Sequence, residues 1–375
     1  MKIAIAGGSI AGLAAAVTLN CIGHEVRVYE RRDRPFPDHG GGVAVLRRMT
    51  AFLDAHGGGY RLAIATVPTR RRRWIDRAGR IVDDACQWLP FSSWDIVYRA
   101  LCAMLPEDMI RHDSPVTVES RDPDGVDLRI GDARERVDLL VAAEGTGSRV
   151  RTALFPDYAP RYAGYFAWRG VVDEASFDAP GIELLVENLT LHRQPGELFM
   201  AFQIPAADGR PGARTRRFNW IWYRSEADLE QLRGHLAGIG ERPPGTSAEP
   251  GRLSTRSHTA LGVLARERLP AVLSQLVDAT AAPTVQAVFD VLSPAFAGGR
   301  IALVGDAACT LRPHSASGMS QALADAVTLA QTLPPDAHDV SARTASWAAT
   351  RRVALAGLAD AGMRRAAEFG LGARA

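Results

Sequence analysis

The stretch KIAIAGGSIAGLAAAVTLNCIGHEVRVYE, Lys2 to Glu30, decides the fold. Lys2 to Ala6 is a short apolar run of the buried-strand kind, Gly7 to Gly12 a tight turn, and Leu13 to Cys21 a helix closed by Gly23. Glu25 to Tyr29 repeats the strand pattern and stops at an acid, Glu30. Strand, glycine turn, helix and second strand within about 30 residues make a βαβ unit that binds a dinucleotide. Gly7, Ser9 and Gly12 occupy the glycine positions of that fingerprint. Serine is the next smallest polar replacement for the middle glycine, so backbone approach to a pyrophosphate survives. Gly7, Ser9, Ile10, Ala11 and Gly12 are therefore candidate cofactor contacts. Glu30 can accept hydrogen bonds from both hydroxyls of an adenosine ribose, with Arg31 beside it, and a 2′-phosphate there would be repelled.

A second stretch, Arg300 to Leu329, mirrors the first at the other end of the chain. Ile301 to Val304 is a buried-strand run that breaks at Gly305-Asp306, lifting Asp306 to the strand's carboxyl end, where ligands bind in open α/β sheets. After the Arg312-Pro313 corner, Ser315, Ser317 and Gly318 lead into a helix. Its first amides suit an anionic or electron-rich ligand atom.

At 375 residues the chain can bury a large core in two lobes, and 47% hydrophobic with 23% charged residues exclude a disordered or fibrous class. The net charge of +2 makes no nucleic-acid footprint. Four scattered cysteines have no metal-ligand or disulfide spacing, so no metal site and a reducing, cytoplasmic compartment are expected. Glycines interrupt the N-terminal apolar stretch, which argues against a signal peptide, and no run approaches the ~20 apolar residues of a membrane span.

Between the two ends, DHGGGV (Asp38 to Val43) reads as a glycine loop against which a flat ligand could lie, with Gly42 and Val43 as candidate contacts. Arg70 to Arg73 reads as a solvated edge strand in a hairpin turning at Asp76-Gly79, and Trp94 to Leu105 as a helix offering Arg99, a surface residue or a phosphate clamp. Val116 to Ile130 is a hairpin around Asp122 to Gly125, and DLLVAAEGTGSRVR (Asp138 to Arg151) a strand followed by a second phosphate- or ribose-facing turn at Glu144-Gly145. From Phe166 to Val291 alternating strands and long loops take over, and the aromatics Phe166, Trp168, Trp220, Trp222 and Tyr223 suggest a mainly antiparallel sheet walling an aromatic pocket, although core packing alone explains most of these rings.

GGSIAG with Glu30, AAEGTGSRVR and VGDAACTLRPHSASGM, in that order, resemble the three fingerprints of the group A flavoprotein aromatic hydroxylases, which share the p-hydroxybenzoate hydroxylase fold. YFAWRGVVDE, FNWIWYR and RPHSASG look most like the 2,6-dihydroxypyridine hydroxylase branch. Ser9 and Glu144 depart from the family pattern, which has glycine and aspartate there. The resemblance implies an α/β fold: a Rossmann-like FAD-binding domain with C-terminal helices (residues 1–68, 92–161 and 285–375) and an inserted, mainly antiparallel substrate domain (69–91 and 162–284). It further implies an NAD(P)H- and O2-dependent FAD monooxygenase acting on an electron-rich aromatic or heteroaromatic through a flavin C4a-hydroperoxide. A flavin dehydrogenase, oxidase or epoxidase and a non-catalytic binding protein are the alternatives. Asp306 matches the residue that hydrogen-bonds the ribitol chain; Ser317, Gly318 and Met319 would present amides to the flavin ring, and Pro313 and His314 would border the reacting centre. His314 or Tyr223 is expected to meet the substrate hydroxyl. A monomer or homodimer without nucleic-acid or membrane partners completes the expectation.

Overall fold

The computed structural model describes residues 1–36, 41–56, 65–209, 215–228, 231–232 and 253–372. Five strands form a wholly parallel sheet: β1 (Lys2–Ala6), β2 (Glu25–Tyr29), β6 (Ile110–Arg111), β10 (Leu139–Ala142) and β16 (Ile301–Leu303), in the order β16-β10-β1-β2-β6. β1 and β10 are almost wholly buried, as uninterrupted apolar strands covered on both faces must be.

Helix α1 (Ile10–Cys21) starts three residues earlier than its apolar spacing suggests, with Ser9 at the N-cap position. The glycine turn is correspondingly shorter and Gly12 lies inside the first helical turn, where a Cβ would sit 1.9 Å from the Gly7 carbonyl oxygen. Gly7 itself has φ +109° and a Cβ there would lie 2.5 Å from the Ala143 carbonyl oxygen, so both positions require glycine. The alanine-rich α1 packs against α7 (Gly318–Thr332), and Thr18 Oγ1 donates across to the Ala326 carbonyl at 3.3 Å.

The second sheet has nine strands. It contains β3 (Gly42–Ala44), β4 (Val67–Ile75), β5 (Ile81–Ser93), β11 (Arg161–Asp173), β12 (Asn188–Gln194), β13 (Glu197–Ile204), β14 (Arg217–Ser225), β15 (Thr284–Leu292) and β17 (Cys309–Thr310), in the order β17-β15-β11-β14-β13-β12-β4-β5-β3. All its neighbours are antiparallel except β12 and β4. Two expectations change here. β4 is an internal strand rather than an edge, because β12 pairs along its outer side; Arg71 and Arg72 meet Asp84 and Asp83 on β5 at 2.6 and 3.3 Å. Gly42 and Val43 belong to strand β3, while Asp38, His39 and Gly40 lie outside the described residues. A three-stranded meander, β7 (Val116–Arg121), β8 (Val126–Ile130) and β9 (Ala133–Val137), completes the sheets.

The segment read as strands and loops also contains two helices, α5 (Thr255–Arg268) and α6 (Ala271–Asp278). They cover one face of the large sheet and account for the aromatic cluster. Phe166, Trp168, Phe218, Trp220 and Trp222 are packed there with Leu261, Leu273 and Leu276, and the Trp220 indole donates to Thr280 Oγ1 at 2.8 Å. These rings are core rather than pocket wall. Strand alternation leaves Arg169, Val171, Arg217 and Asn219 on the other face. Further helices among the described residues are α2 (Arg47–Ala55), α3 (Trp94–Cys102), α4 (Arg149–Leu154) and the long α8 (Val340–Glu368).

Candidate active site

A cleft of about 740 Å³ runs between the carboxyl ends of the parallel strands and the free face of the large sheet. Its first wall is the βαβ unit. Ser9, Ile10 and Ala11 at the start of α1 border it beside Gly7. At the end of β2, Glu30 is only 4% exposed, yet its carboxylate lines the cleft. Oε2 accepts from the Gly8 amide at 2.7 Å and Oε1 from the Arg32 amide at 3.0 Å. Each carboxylate oxygen has more than one acceptor site, so Glu30 is held rigidly and still has capacity for ribose hydroxyls. Arg31 lies alongside.

Glu144 and Gly145 border the cleft from the end of β10. The Glu144 carboxylate turns towards α4, accepting from Ser148 Oγ at 2.7 Å and the Val150 amide at 2.9 Å. The extra methylene relative to aspartate gives it that reach. Arg151, 2% exposed, donates to the carbonyls of Thr146 and Ala307, the latter at 3.1 Å, and so ties this turn to the one after β16.

The third turn supplies Asp306, Pro313, Gly318 and Met319 to the cleft. Asp306 is reached by water through the cleft but sits deep in the molecule; the surrounding protein and then the Asp325 charge push its carboxyl up to about 6. Gly305 and Ser317 do not face the cleft. Gly305, at φ +58°, lets its turn press on α1, since a Cβ would stand 2.6 Å from that of Ala11, and its amide donates to Asp325 Oδ2 at 2.9 Å. Asp325 is tied in turn to Arg351 of α8, with Oδ1 accepting from Nε at 2.8 Å. Ser317 Oγ donates to the Ser315 carbonyl at 3.0 Å.

Gly12, Arg99, His314 and Tyr223 also lie off the cleft. Arg99 reaches Asp95 at 3.3 Å and the Ala207 carbonyl at 2.6 Å. The imidazole of His314 is packed among Tyr165, Tyr223 and Phe369, behind the loop that carries Pro313. Its Nε2 donates to the Gly362 carbonyl of α8 at 3.0 Å, which leaves Nδ1 to accept from the Tyr165 hydroxyl at 3.4 Å. Burial pulls its pKa down to about 4 against the opposing pull of the Gly362 bond, so it is neutral. Tyr223 is fully buried, and its hydroxyl has no partner among the described residues. The expected encounter of either side chain with substrate is therefore not what this arrangement offers: both stand in the layer between the large sheet and α8.

Gly42 and Val43 do border the cleft. A Cβ on Gly42 would fall 2.4 Å from the Phe202 ring, and the Gly42 amide donates to Asn219 Oδ1 at 2.8 Å, joining β3 to β14. Residue spacing did not single out the sheet-side wall. Arg169, Arg217, Asn219, Thr284 and Gln286 line it, and only the strand alternation within RGVVDE and RFNW could have pointed to the first three.

The geometry fits a dinucleotide cofactor: a glycine whose Cβ would strike backbone, Gly7, an anchored acid at the end of the second strand and a carboxylate at the third turn converge on one cleft, and Gly12 behind it lets α1 start close to Gly7. Comparison with known proteins agrees. A family model described as FAD binding domain-like matches residues 162–290. The chain is 31% identical over 358 residues to the 2,6-dihydroxypyridine 3-monooxygenase of Paenarthrobacter nicotinovorans, covering 92% of this chain and 86% of that protein. It is 28% identical over 348 residues to the 3-amino-4-hydroxybenzoate 2-monooxygenase of Streptomyces cremeus, covering 88% and 77%. The solved structure of 2,6-dihydroxypyridine-3-hydroxylase from Arthrobacter nicotinovorans superposes with a TM-score of 0.90 at 28% identity, covering 100% of this chain and 94% of that one. Three turns converging on one cleft, together with a relative of this identity across nearly the whole chain, place the protein in the family of FAD-dependent aromatic monooxygenases.

Proposed function

We propose that this protein hydroxylates an electron-rich aromatic or heteroaromatic ring, drawing reducing equivalents from NADH or NADPH. The observation that carries the reading is the single cleft joining the dinucleotide turns to the free face of the large sheet, which gives cofactor and ring one shared chamber. Residues 1–68, 92–161 and 285–375 would hold the cofactor, and residues 69–91 and 162–284 the substrate. Glu30 would accept from the ribose, and the start of α1 at Ser9, Ile10 and Ala11 would face the pyrophosphate. Asp306 would meet the ribitol chain, and Gly318 and Met319 at the start of α7 would meet the ring system. The bound flavin supplies oxygen-transfer chemistry: ring C–H, O2, NAD(P)H and a proton become ring C–OH, NAD(P)+ and water.

The chain's own part is positional and electrostatic. The start of α7 offers unpaired amides and the positive end of a helix dipole to charge that develops beside it. Pro313 removes one amide donor from the loop and stiffens the wall next to that helix start. Asp306, near neutrality in its proton affinity, can donate or accept at its hydroxyl partner. Arg99 and Gly305 would act at one remove, through the loop at Ala207 and the Asp325 anchor. His314 and Tyr223 would set the position of the Pro313 loop against α8 without touching the ring. A cytoplasmic monomer or homodimer suits this role. The test is 18O2 turnover by the FAD-loaded protein with NADH or NADPH and a hydroxylated pyridine or benzoate panel. One 18O atom in the product per reduced nucleotide consumed is expected. Nucleotide consumption that yields hydrogen peroxide and an unlabelled ring across the panel would make the protein an oxidase.

A further inference from the structure

The sheet-side wall of the cleft carries an unneutralised positive charge that the cofactor turns do not use. Arg169 on β11 lines the cleft, and its one hydrogen bond among the described residues is from Nη1 to Gln286 Oε1 at 3.2 Å. Its Nε is buried without a partner among the described residues, and no ion pair joins Arg169 to a described carboxylate. A partly buried guanidinium left unpaired costs free energy unless a ligand compensates it. Asn219 on β14 stands on the same face, since Arg169 pairs with Ile221 and Val171 with Asn219 in the ladder. It is 2% exposed and lines the cleft, and its Oδ1 accepts from the Gly42 amide. That amide can only donate, so the orientation of the Asn219 carboxamide is set and Nδ2, with two N–H groups and no partner among the described residues, is left over. The acids that line the cleft, Glu30, Glu144 and Asp306, all belong to the cofactor turns.

We infer that Arg169 and Asn219 form a donor-only wall that selects rings bearing an anionic or carbonyl oxygen, such as hydroxypyridines bound as oxyanion or pyridone, over rings whose oxygens are alkylated. The inference rests on the aromatic-hydroxylase reading and specifies its substrate. An oxyanion here is neutralised by Arg169 and held by Nδ2 of Asn219, and for a ring attacking an electrophilic oxygen the same oxyanion raises nucleophilicity.

The experiment is equilibrium binding to the FAD-loaded protein, followed by flavin absorbance, with 2,6-dihydroxypyridine and 2,6-dimethoxypyridine as probes. The wild type should bind the dihydroxy ring at least about tenfold more tightly. Arg169→Met should weaken the dihydroxy ring by roughly tenfold to a hundredfold, the range for a charge-assisted hydrogen bond, and leave the dimethoxy ring within about twofold. Asn219→Asp keeps the acceptor for Gly42 but replaces the Nδ2 donor with a carboxylate oxygen; it should weaken the dihydroxy ring by about tenfold or more. FAD retention should be unchanged in Arg169→Met. Equal wild-type binding of the two rings, no binding of either, or loss of FAD in Arg169→Met without a change in ring affinity would each overturn the inference. Binding requires no turnover, so an unlabelled product in the 18O2 assay with Arg169-dependent ring binding rejects the hydroxylase reading alone.

Discussion

Acidification should weaken the fold in part through His314. Burial lowers its proton affinity from the ordinary 6.5 to about 4; the Gly362 hydrogen bond opposes this, and the Arg312 and Arg365 charges add to it. The unfolded chain takes up the proton near 6.5, whereas the folded chain does so only near 4. Between those values the unfolded state binds more protons, so stability rises with pH. The contribution is fully present above about 6.5 and is lost as the pH falls towards about 4. That interval is worth about 3 kcal/mol, of which about 2 kcal/mol is gone by about pH 5. The assay is urea unfolding of wild type and His314→Gln at about pH 7 and about pH 5. Glutamine can still donate to the Gly362 carbonyl but cannot take the proton. Wild type should lose about 2 kcal/mol more than the variant on acidification. Equal losses would refute the buried, neutral imidazole.

Glu30→Ala should weaken FAD binding by roughly tenfold to a hundredfold, measured by titrating apoprotein and following flavin fluorescence, because the Gly8 and Arg32 amides lose their acceptor along with the ribose. Arg351→Met should cost about 3–5 kcal/mol of unfolding free energy by leaving Asp325 charged and 1% exposed; a loss below about 1 kcal/mol would show that Asp325 takes up a proton instead. Tyr223→Phe should be neutral or stabilise by about 1 kcal/mol in thermal unfolding, because it deletes a hydroxyl that has no partner among the described residues.

The dinucleotide half of the fold was readable from local pattern. Buried parallel strands are continuous apolar runs, and the glycines at 7 and 12 answer to collisions only a few residues away in sequence or one strand across. The start of α1 is hard to read from sequence because Ser9, Ala11 and Gly12, small residues around the single large Ile10, carry no helical periodicity. The large sheet was less legible. β4 reads as a solvated edge from its arginines, but whether a strand is an edge depends on a partner more than 100 residues away, β12, and the charges are met by Asp83 and Asp84 across the hairpin. Core packing accounts for the tryptophans of β11 and β14, as the sequence already favours for most of them; what local pattern does not show is that α5 and α6 supply the other side of that core. His314 drew attention as the most reactive residue type in its loop. Its environment is set by Tyr165, Tyr223 and Gly362, all far away in sequence. Arg169 and Asn219 escaped notice for the opposite reason: arginine and asparagine are common, and only a register shows that both stand on one face.

The order of the parallel sheet, β16-β10-β1-β2-β6, bears on how the chain is made. β1 is made before the other four strands of this sheet and occupies its centre, yet its second neighbour is residues 139–142, and that strand's outer partner is residues 301–303. During synthesis the central strand therefore waits with an open edge on one side while well over a hundred residues follow. Such non-local pairing is slow and leaves strand edges open to association. The turn bearing Asp306 follows β16 directly, so the cofactor chamber is incomplete in any nascent chain that stops before that turn. A ribosome-bound fragment ending before β16 should depend on chaperones whether or not FAD is abundant.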